Sequence, residues 1–387
     1  MRGRMKEGKS VRGHGVRIFG AVSILMATII GAGIFGLPYV AMRAGFVFGI
    51  ANMIFVFLII LPVYLYLGEI GLRTKTRHHL AGYAQLYLGK RGKLAMLIAF
   101  SFGVYASLVG YLIGESKSIS FLIFNTPDRA FLLGLLVWLC FSLVSMSRLK
   151  QIVKGEKASV ALIVLIVLAL LAWFAPRVSF ANLSHANPRL LFLPFGVTLF
   201  AFLGFASMPE VERYLSNQKS LTKRAVWLAL SFTLVIYLIF TFVVVGAFGE
   251  RTPEIATIAL GKVFVLLGML TMFSSYIAIS IALEDMFKFD FGVGRFKAWL
   301  LASFVPLVVF AFLHLVGRDS FVEVIGAGGS ISGGLTALLV LAMARNAKRF
   351  GRRKPEYSVP YNPFLVCLLA VFISIATILN LYFSFFA

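Results

Sequence analysis

Charge is scarce in this chain of 387 residues, and acid is scarcer still. Charged side chains make up 13% of it, with 15 Asp plus Glu against 37 Lys plus Arg. A soluble domain carries about a quarter charged residues, so a water-soluble globule is excluded. Cysteine occurs twice, at Cys140 and Cys367. Both fall inside apolar runs and read as small buried hydrophobes, which rules out a disulfide framework or a thiolate metal cluster. The histidines, His14, His78, His79, His185 and His314, are scattered. No His-Glu-x-x-His, Cys-x-x-Cys, phosphate-binding Gly-Lys-Ser loop or membrane carboxylate pair is present. The chain is therefore read as no enzyme, with no cofactor and no metal site beyond the sodium site considered below.

What it has instead is apolar length. Hydrophobic residues make up 60% of the chain and phenylalanine alone numbers 39. Several runs reach the ~20 residues that span a bilayer as helix. The predicted architecture is an all-α polytopic membrane protein with eleven transmembrane helices: 18–44, 46–71, 94–124, 131–147, 157–175, 190–215, 225–248, 262–289, 297–316, 320–344 and 362–385. With the N-terminus cytoplasmic, the inside segments carry 29 of the 37 Lys and Arg. That asymmetry is the positive-inside rule. It places the protein in the cytoplasmic membrane with its C-terminus external, and it accounts for the net charge of +22 without nucleic acid. The basic leader before the first span resembles a signal peptide only loosely, because the apolar run is too long and lacks a small-residue cleavage site; a retained span is expected.

Two spans are interrupted. The first holds Gly31-Ala32-Gly33-Ile34-Phe35-Gly36-Leu37-Pro38, where glycine costs about 1 kcal/mol per helical position and proline about 3. The sixth holds Leu203-Gly204-Phe205-Ala206-Ser207-Met208-Pro209-Glu210. Unwound backbone in hydrocarbon is tolerated only where protein or a water-filled cavity satisfies it. Paired breaks at corresponding places in two halves point to an inverted repeat with a midplane site between them. The organisation expected is a basic cytoplasmic leader at 1–17, a first repeat at 18–175, an external loop at 176–189, a second repeat at 190–344, a basic loop at 345–361 and an added helix at 362–387. Between 73 and 93, Leu80, Tyr83, Ala84, Leu86 and Tyr87 have the spacing of a short amphipathic surface helix.

The run from Gly31 to Tyr39 resembles the first-helix signature of the amino acid–polyamine–organocation superfamily. Ala41-Met42-Arg43-Ala44-Gly45-Phe46 and Gly204 to Glu210 are most similar to its amino acid/auxin permease branch, which includes aromatic and hydroxy amino acid permeases. The resemblance implies the five-plus-five inverted-repeat fold of sodium-coupled amino acid symporters, with helices 1 and 6 broken and an eleventh appended. Many members of the wider superfamily carry glutamate where this chain has Ala206.

Free N–H groups of Gly31, Ala32 and Gly33 at a half-helix start suit a carboxylate, and carbonyls of Thr28 to Ile30 suit a cation. In the sixth span the carbonyls of Phe202, Leu203 and Gly204 suit a substrate ammonium, with Phe205 beside them. Ser207 and Glu210 have capping-box spacing, while Glu210 is also a candidate proton carrier. For the coupling ion, H+ or Na+, the resemblance implies a sodium site built from hydroxyls of Thr271, Ser274 and Ser275 with first-break groups around Thr28. Some proton-coupled relatives use a fifth-helix lysine, for which Lys154 and Lys157 are the candidates. Each has a plainer alternative: glycine and hydroxyl residues also pack membrane helices, and terminal lysines also set topology.

The function expected is secondary active transport of neutral amino acids, aromatic or branched ones included, by alternating access. No acidic or basic side chain falls at midplane to partner a charged substrate. Phe35, Phe202, Phe205 and Tyr105 permit a large apolar one. Partners are the amino acid and the bilayer, and the sequence leaves the oligomeric state open. The alternatives are an amino acid exchanger, a transporter of another organic cation or nucleobase-like solute, or a channel or non-transporting scaffold.

Overall fold

A computed structural model describes residues 17–76, 78–147 and 156–385. Among them every regular element is helical, and an isolated bridge joins Gly45 to Ala186. Eight helices are long and apolar enough to cross a bilayer, and a bent pair makes a ninth. That pair is α1 (Arg17–Ile29) and α2 (Gly33–Ala44), which meet at 61°. It occupies the expected first span. Next come α3 (Phe46–Arg73), α4 (Leu80–Phe124), α5 (Ala130–Ser147) and α6 (Glu156–Phe174). The apolar helical stretches Ala130–Met146 and Leu165–Arg177 are shorter than the others. They lie where the fourth and fifth spans are expected.

The chain then runs through three short 3-10 turns between Ala175 and Leu190, in the segment expected to be an external loop. The interrupted pair α7 (Leu193–Ala201) and α8 (Met208–Tyr214) follows, then α9 (Thr222–Phe248), α10 (Ala256–Leu260), α11 (Lys262–Phe291) and α12 (Arg295–Leu315). The last elements are α13 (Phe321–Gly328), a π turn at Gly329–Gly333, α14 (Gly334–Phe350) and α15 (Pro363–Phe385).

The surface helix expected between 73 and 93 is the first arm of α4. Gly89, at φ 76°, turns the chain sharply between this arm and the spanning one; only glycine takes that conformation without strain. Leu80, Tyr83, Ala84 and Tyr87 are buried beneath the arm and Leu86 is exposed. Exposed apolar residues cover α12 and α15, among them Phe312 and Ile378, as hydrocarbon-facing helices require. Cys140 and Cys367 are also exposed, which corrects their reading as buried. A thiol is apolar enough to face lipid, so apolar context did not imply burial.

The glycine-rich tenth span serves close packing. A Cβ at Gly196 or Gly329 would strike backbone of the other helix, so α7 and the π turn touch main chain to main chain. The turn is itself a local widening of the helix. The appended α15 is tied to the same place: buried Asn380 accepts from the Ser330 hydroxyl at 2.7 Å and donates to the carbonyls of Phe192 and Leu193.

Glu69, near the C-terminus of α3 and 2% exposed, collects its charge partners from two helices and a loop. It accepts from Arg73 at 2.8 Å, Lys348 at 2.7 Å, the Ser358 hydroxyl at 2.9 Å and the Val359 N–H at 2.8 Å. Tyr357 donates to the Leu65 carbonyl and Tyr66 to that of Pro360. The segment between α14 and α15 is thereby strapped across one end of α3.

Candidate functional site

The first break divides the three N–H groups expected to be free. Gly31 N–H donates to the Ile29 carbonyl at 2.9 Å, and Ala32 N–H faces the Tyr111 hydroxyl. Gly33 opens α2 with no side chain capping it and no hydrogen bond from its N–H among the described residues. Gly33 also marks the crossing of the two broken helices, because a Cβ there would lie 2.7 Å from the Ala201 Cα. Gly31 is roomier: its Cβ would meet only the Tyr111 hydroxyl, at 3.3 Å.

The second break runs from Phe202 to Ser207. Leu203 N–H turns back to the Phe200 carbonyl, and Ser207 N–H to that of Gly204. Two buried tyrosines close most of what the break leaves open. Tyr64 donates to the Phe202 carbonyl at 2.9 Å. Tyr237 donates to the Ala201 carbonyl at 2.6 Å and reaches the Ile29 carbonyl at 3.3 Å, spanning both breaks. Of the three carbonyls expected to meet an ammonium, those of Phe202 and Gly204 are occupied. Leu203's has no hydrogen bond among the described residues.

Ser207 does not cap α8. Its hydroxyl donates back to the Gly204 carbonyl at 2.8 Å, because the 3-10 turn before α8 puts that acceptor nearer than the N–H groups ahead. Glu210 pairs instead with Arg213 at 2.8 Å, both partly exposed.

Between the breaks lies a cavity of about 170 Å³. Gly31, Gly33, Leu203, Gly204 and Phe205 line it, so five of the seven expected binding residues converge there. Ala32 and Phe202 are fully buried behind it. Phe202 packs its ring edge-on with Tyr237 at 5.3 Å, and Phe205 lies tilted against Tyr64 at 4.6 Å. The remaining wall is apolar at Phe100, Val104 and Phe200, and hydroxylated at Thr28, Ser107, Tyr111, Ser332 and Thr336. No Asp, Glu, Lys, Arg or His lines it. Two expected aromatics lie elsewhere. Phe35 lines a separate apolar crevice against α11, and Tyr105 reaches the Leu301 carbonyl on α12.

The hydroxyls considered for cation binding mostly satisfy their own helices. Thr28 donates to the Ile24 carbonyl, Thr271 to Leu267 and Ser274 to Thr271. Ser275 is the exception, facing Tyr111 across to α4. Lys157 lies on α6, but its side chain, like Lys154, falls outside the described residues. Tyr64, Tyr111 and Tyr237 are the site residues that sequence reasoning missed. Their one signal was a hydroxyl in the middle of an apolar span, where a polar tip must find a partner.

Two interrupted membrane helices crossing at their breaks, around a small cavity free of charged side chains, define a multi-pass helical protein with a solute-sized site. The chain belongs to the tryptophan/tyrosine permease family, which matches residues 14–259. It is similar to a tryptophan-specific transport protein of Shigella flexneri, 28% identical over 92% of each chain. It is also similar to glutamine transporter 2 of Aliivibrio fischeri, 22% identical over 84% of this chain and 88% of that one. A third relative is tyrosine-specific transport system 1 of Haemophilus influenzae, 21% identical over 93% of this chain and 95% of that one. The family and these relatives are permeases and transporters, not enzymes.

Proposed function

We propose that this chain is a secondary active transporter of neutral amino acids, aromatic ones foremost, working by alternating access across the cytoplasmic membrane. The observation that carries the reading is the cavity where an uncapped helix start at Gly33 and the unpartnered carbonyl of Leu203 belong to the same wall. The positive end of α2 suits a carboxylate and the carbonyl suits an ammonium. The remainder, apolar and hydroxylated but without charge, suits an uncharged side chain, and the names of the tryptophan and tyrosine transporters among its relatives support an aromatic one.

In this reading eleven spans form two five-helix repeats of opposite orientation plus α15, on the amino acid–polyamine–organocation plan. The N-terminus is cytoplasmic and the C-terminus external. Helices α1–α2 and α7–α8 are equivalent first helices of the two halves, and they rock with α3 and α9 against the rest. The coupling ion is H+ or Na+; of the candidate hydroxyls Thr28 lines the cavity and Ser275 faces Tyr111 beside it.

Thermal unfolding of the purified chain against each amino acid, with and without sodium, tests the proposal. A ligand of the native state stabilises it by about 2.7 kcal/mol at a hundredfold excess over Kd. Shifts with tryptophan, tyrosine or phenylalanine are expected. Shifts with none of the twenty amino acids would overturn the substrate class.

A further inference from the structure

Away from the site, α14 and α15 leave a groove of about 650 Å³ between them, closed at one side by Leu88 of the surface arm. On α14 the groove is walled by Leu338, Leu341, Ala342, Arg345 and Arg349. Leu338, Ala342, Arg345 and Arg349 follow one another at steps of four, three and four, so they form a single stripe along one helix face with Leu341 at its edge. The stripe changes character along its length, from aliphatic to two guanidinium groups one turn apart. On α15 the facing wall is Pro363, Val366, Cys367 and Ala370, again one stripe and wholly apolar. The small side chains Ala342, Cys367 and Ala370 are what leave the space.

The basic end is uncommitted. Only Lys348, which also lines the groove, is spent, on Glu69, Ser358 and Val359. Arg345 and Arg349 are exposed. Neither has a hydrogen bond or ion pair among the described residues, in a chain where Arg73, Arg213 and Arg353 all find carboxylates. Two forked donors spaced one turn apart match the oxygens of one phosphate, and the apolar groove leading away from them matches a hydrocarbon chain.

We infer that the α14–α15 groove is a binding site for an anionic glycerophospholipid, its phosphate held between Arg345 and Arg349 and one acyl chain laid between the two helices. Charge complementarity selects this occupant. A neutral lipid would leave both guanidinium groups without an anion, and a soluble phosphate would leave the apolar walls uncovered. Basic pockets between membrane helices hold acidic head groups in this manner. The inference is independent of the transported solute.

Native mass spectrometry of the detergent-purified full chain, titrated with dioleoyl phosphatidylglycerol or dioleoyl phosphatidylcholine, tests it. The wild type is expected to retain phosphatidylglycerol in preference. The double variant R345Q/R349Q is expected to lose about 30-fold in apparent affinity, each arginine near an anionic surface contributing about fivefold. Both arginines are exposed and unpaired, so the variant keeps its fold, which an unchanged unfolding temperature checks. A second variant, Ala342→Trp, fills the groove and leaves the charges; it too is expected to lose the lipid. Equal retention of the two lipids, or undiminished binding by R345Q/R349Q, would overturn the site. Undiminished binding by Ala342→Trp would overturn the acyl-chain groove. Displacement of the lipid by inorganic phosphate at matched concentration would reduce it to a simple anion site.

Discussion

Gly31 and Gly33 stand two residues apart in one break, yet substituting them with alanine should have opposite consequences. At Gly31 the new methyl group meets only the tip of Tyr111, at 3.3 Å, and the residue is not among those with positive φ. The fold tolerates it, and the loss of glycine's freedom in the unfolded chain contributes about 0.4–1 kcal/mol of stability. The methyl group nevertheless enters the cavity that Gly31 lines, against the carboxylate expected there. Displacing one charge-assisted hydrogen bond costs about 1.5–3 kcal/mol, so substrate affinity should fall at least tenfold. At Gly33 the methyl group would lie 2.7 Å from the Cα of Ala201, inside the backbone of α7. Such overpacking costs about 1–3 kcal/mol, and it outweighs the gain in helix propensity of about 1 kcal/mol. The assay is thermal unfolding of each purified variant with and without amino acid. Gly31→Ala should hold or raise the unfolding temperature of the free protein and lose the ligand shift. Gly33→Ala should lower the unfolding temperature of the free protein. A Gly31→Ala protein that binds like wild type, or a Gly33→Ala protein as stable as wild type, would refute the reasoning at that residue.

Tyr237→Phe keeps the ring against Phe202 and removes the hydroxyl. Ile29 still accepts from Gly31, but the Ala201 carbonyl is orphaned, so a loss of about 1–3 kcal/mol is expected on chemical denaturation. Glu69→Gln removes the charge on which Arg73 and Lys348 converge. Breaking a buried pair costs about 3 kcal/mol or more, and trypsin cleavage after Arg352 or Arg353 should accelerate as the strap loosens. Burial raises the Glu356 carboxyl, in that strap, but hydrogen bonds from Arg353 and from its own backbone N–H, with the charges of Arg353 and Lys219, together outweigh this and hold it below its ordinary value. A depressed folded-state pKa contributes stability above the unfolded value that is lost as pH falls through the folded one. Glu356→Gln should therefore flatten the acid limb of the unfolding temperature below about pH 4.5, and an unchanged limb would place the titrating group elsewhere.

The breaks were legible because glycine and proline announce them locally, in a few adjacent residues. What closes them was not. Tyr64 meets Phe202 across 138 residues and Tyr237 meets Ile29 across 208, and no local pattern encodes such pairings. Local pattern also misled at Ser207, where capping-box spacing was present but a 3-10 turn offered the hydroxyl a nearer acceptor. Tyr105 and Phe35 suggested a cavity lining by type alone, although their place on the helix face turned them toward α12 and α11. The basic loop after α14 read only as topology, since its role as a strap depends on Glu69, distant in sequence.

The closing tyrosines give the site its economy. A broken helix in hydrocarbon releases more donors and acceptors than one ligand can use, and each left bare costs free energy. Here the protein occupies the N–H of Gly31 and the carbonyls of Ala201, Phe202 and Gly204 itself, and among the groups it leaves open are one on a cavity-lining residue at each side of the crossing. On the proposed reading those two, the Gly33 N–H and the Leu203 carbonyl, take the parts common to every α-amino acid. Selection then falls to the side-chain pocket, where an apolar wall separates large from small weakly. The hydroxyls of Ser107, Ser332 and Thr336 can answer an indole N–H, a phenol or an amide. On that reading, substrate choice in this chain should respond to those three hydroxyl positions more than to either break.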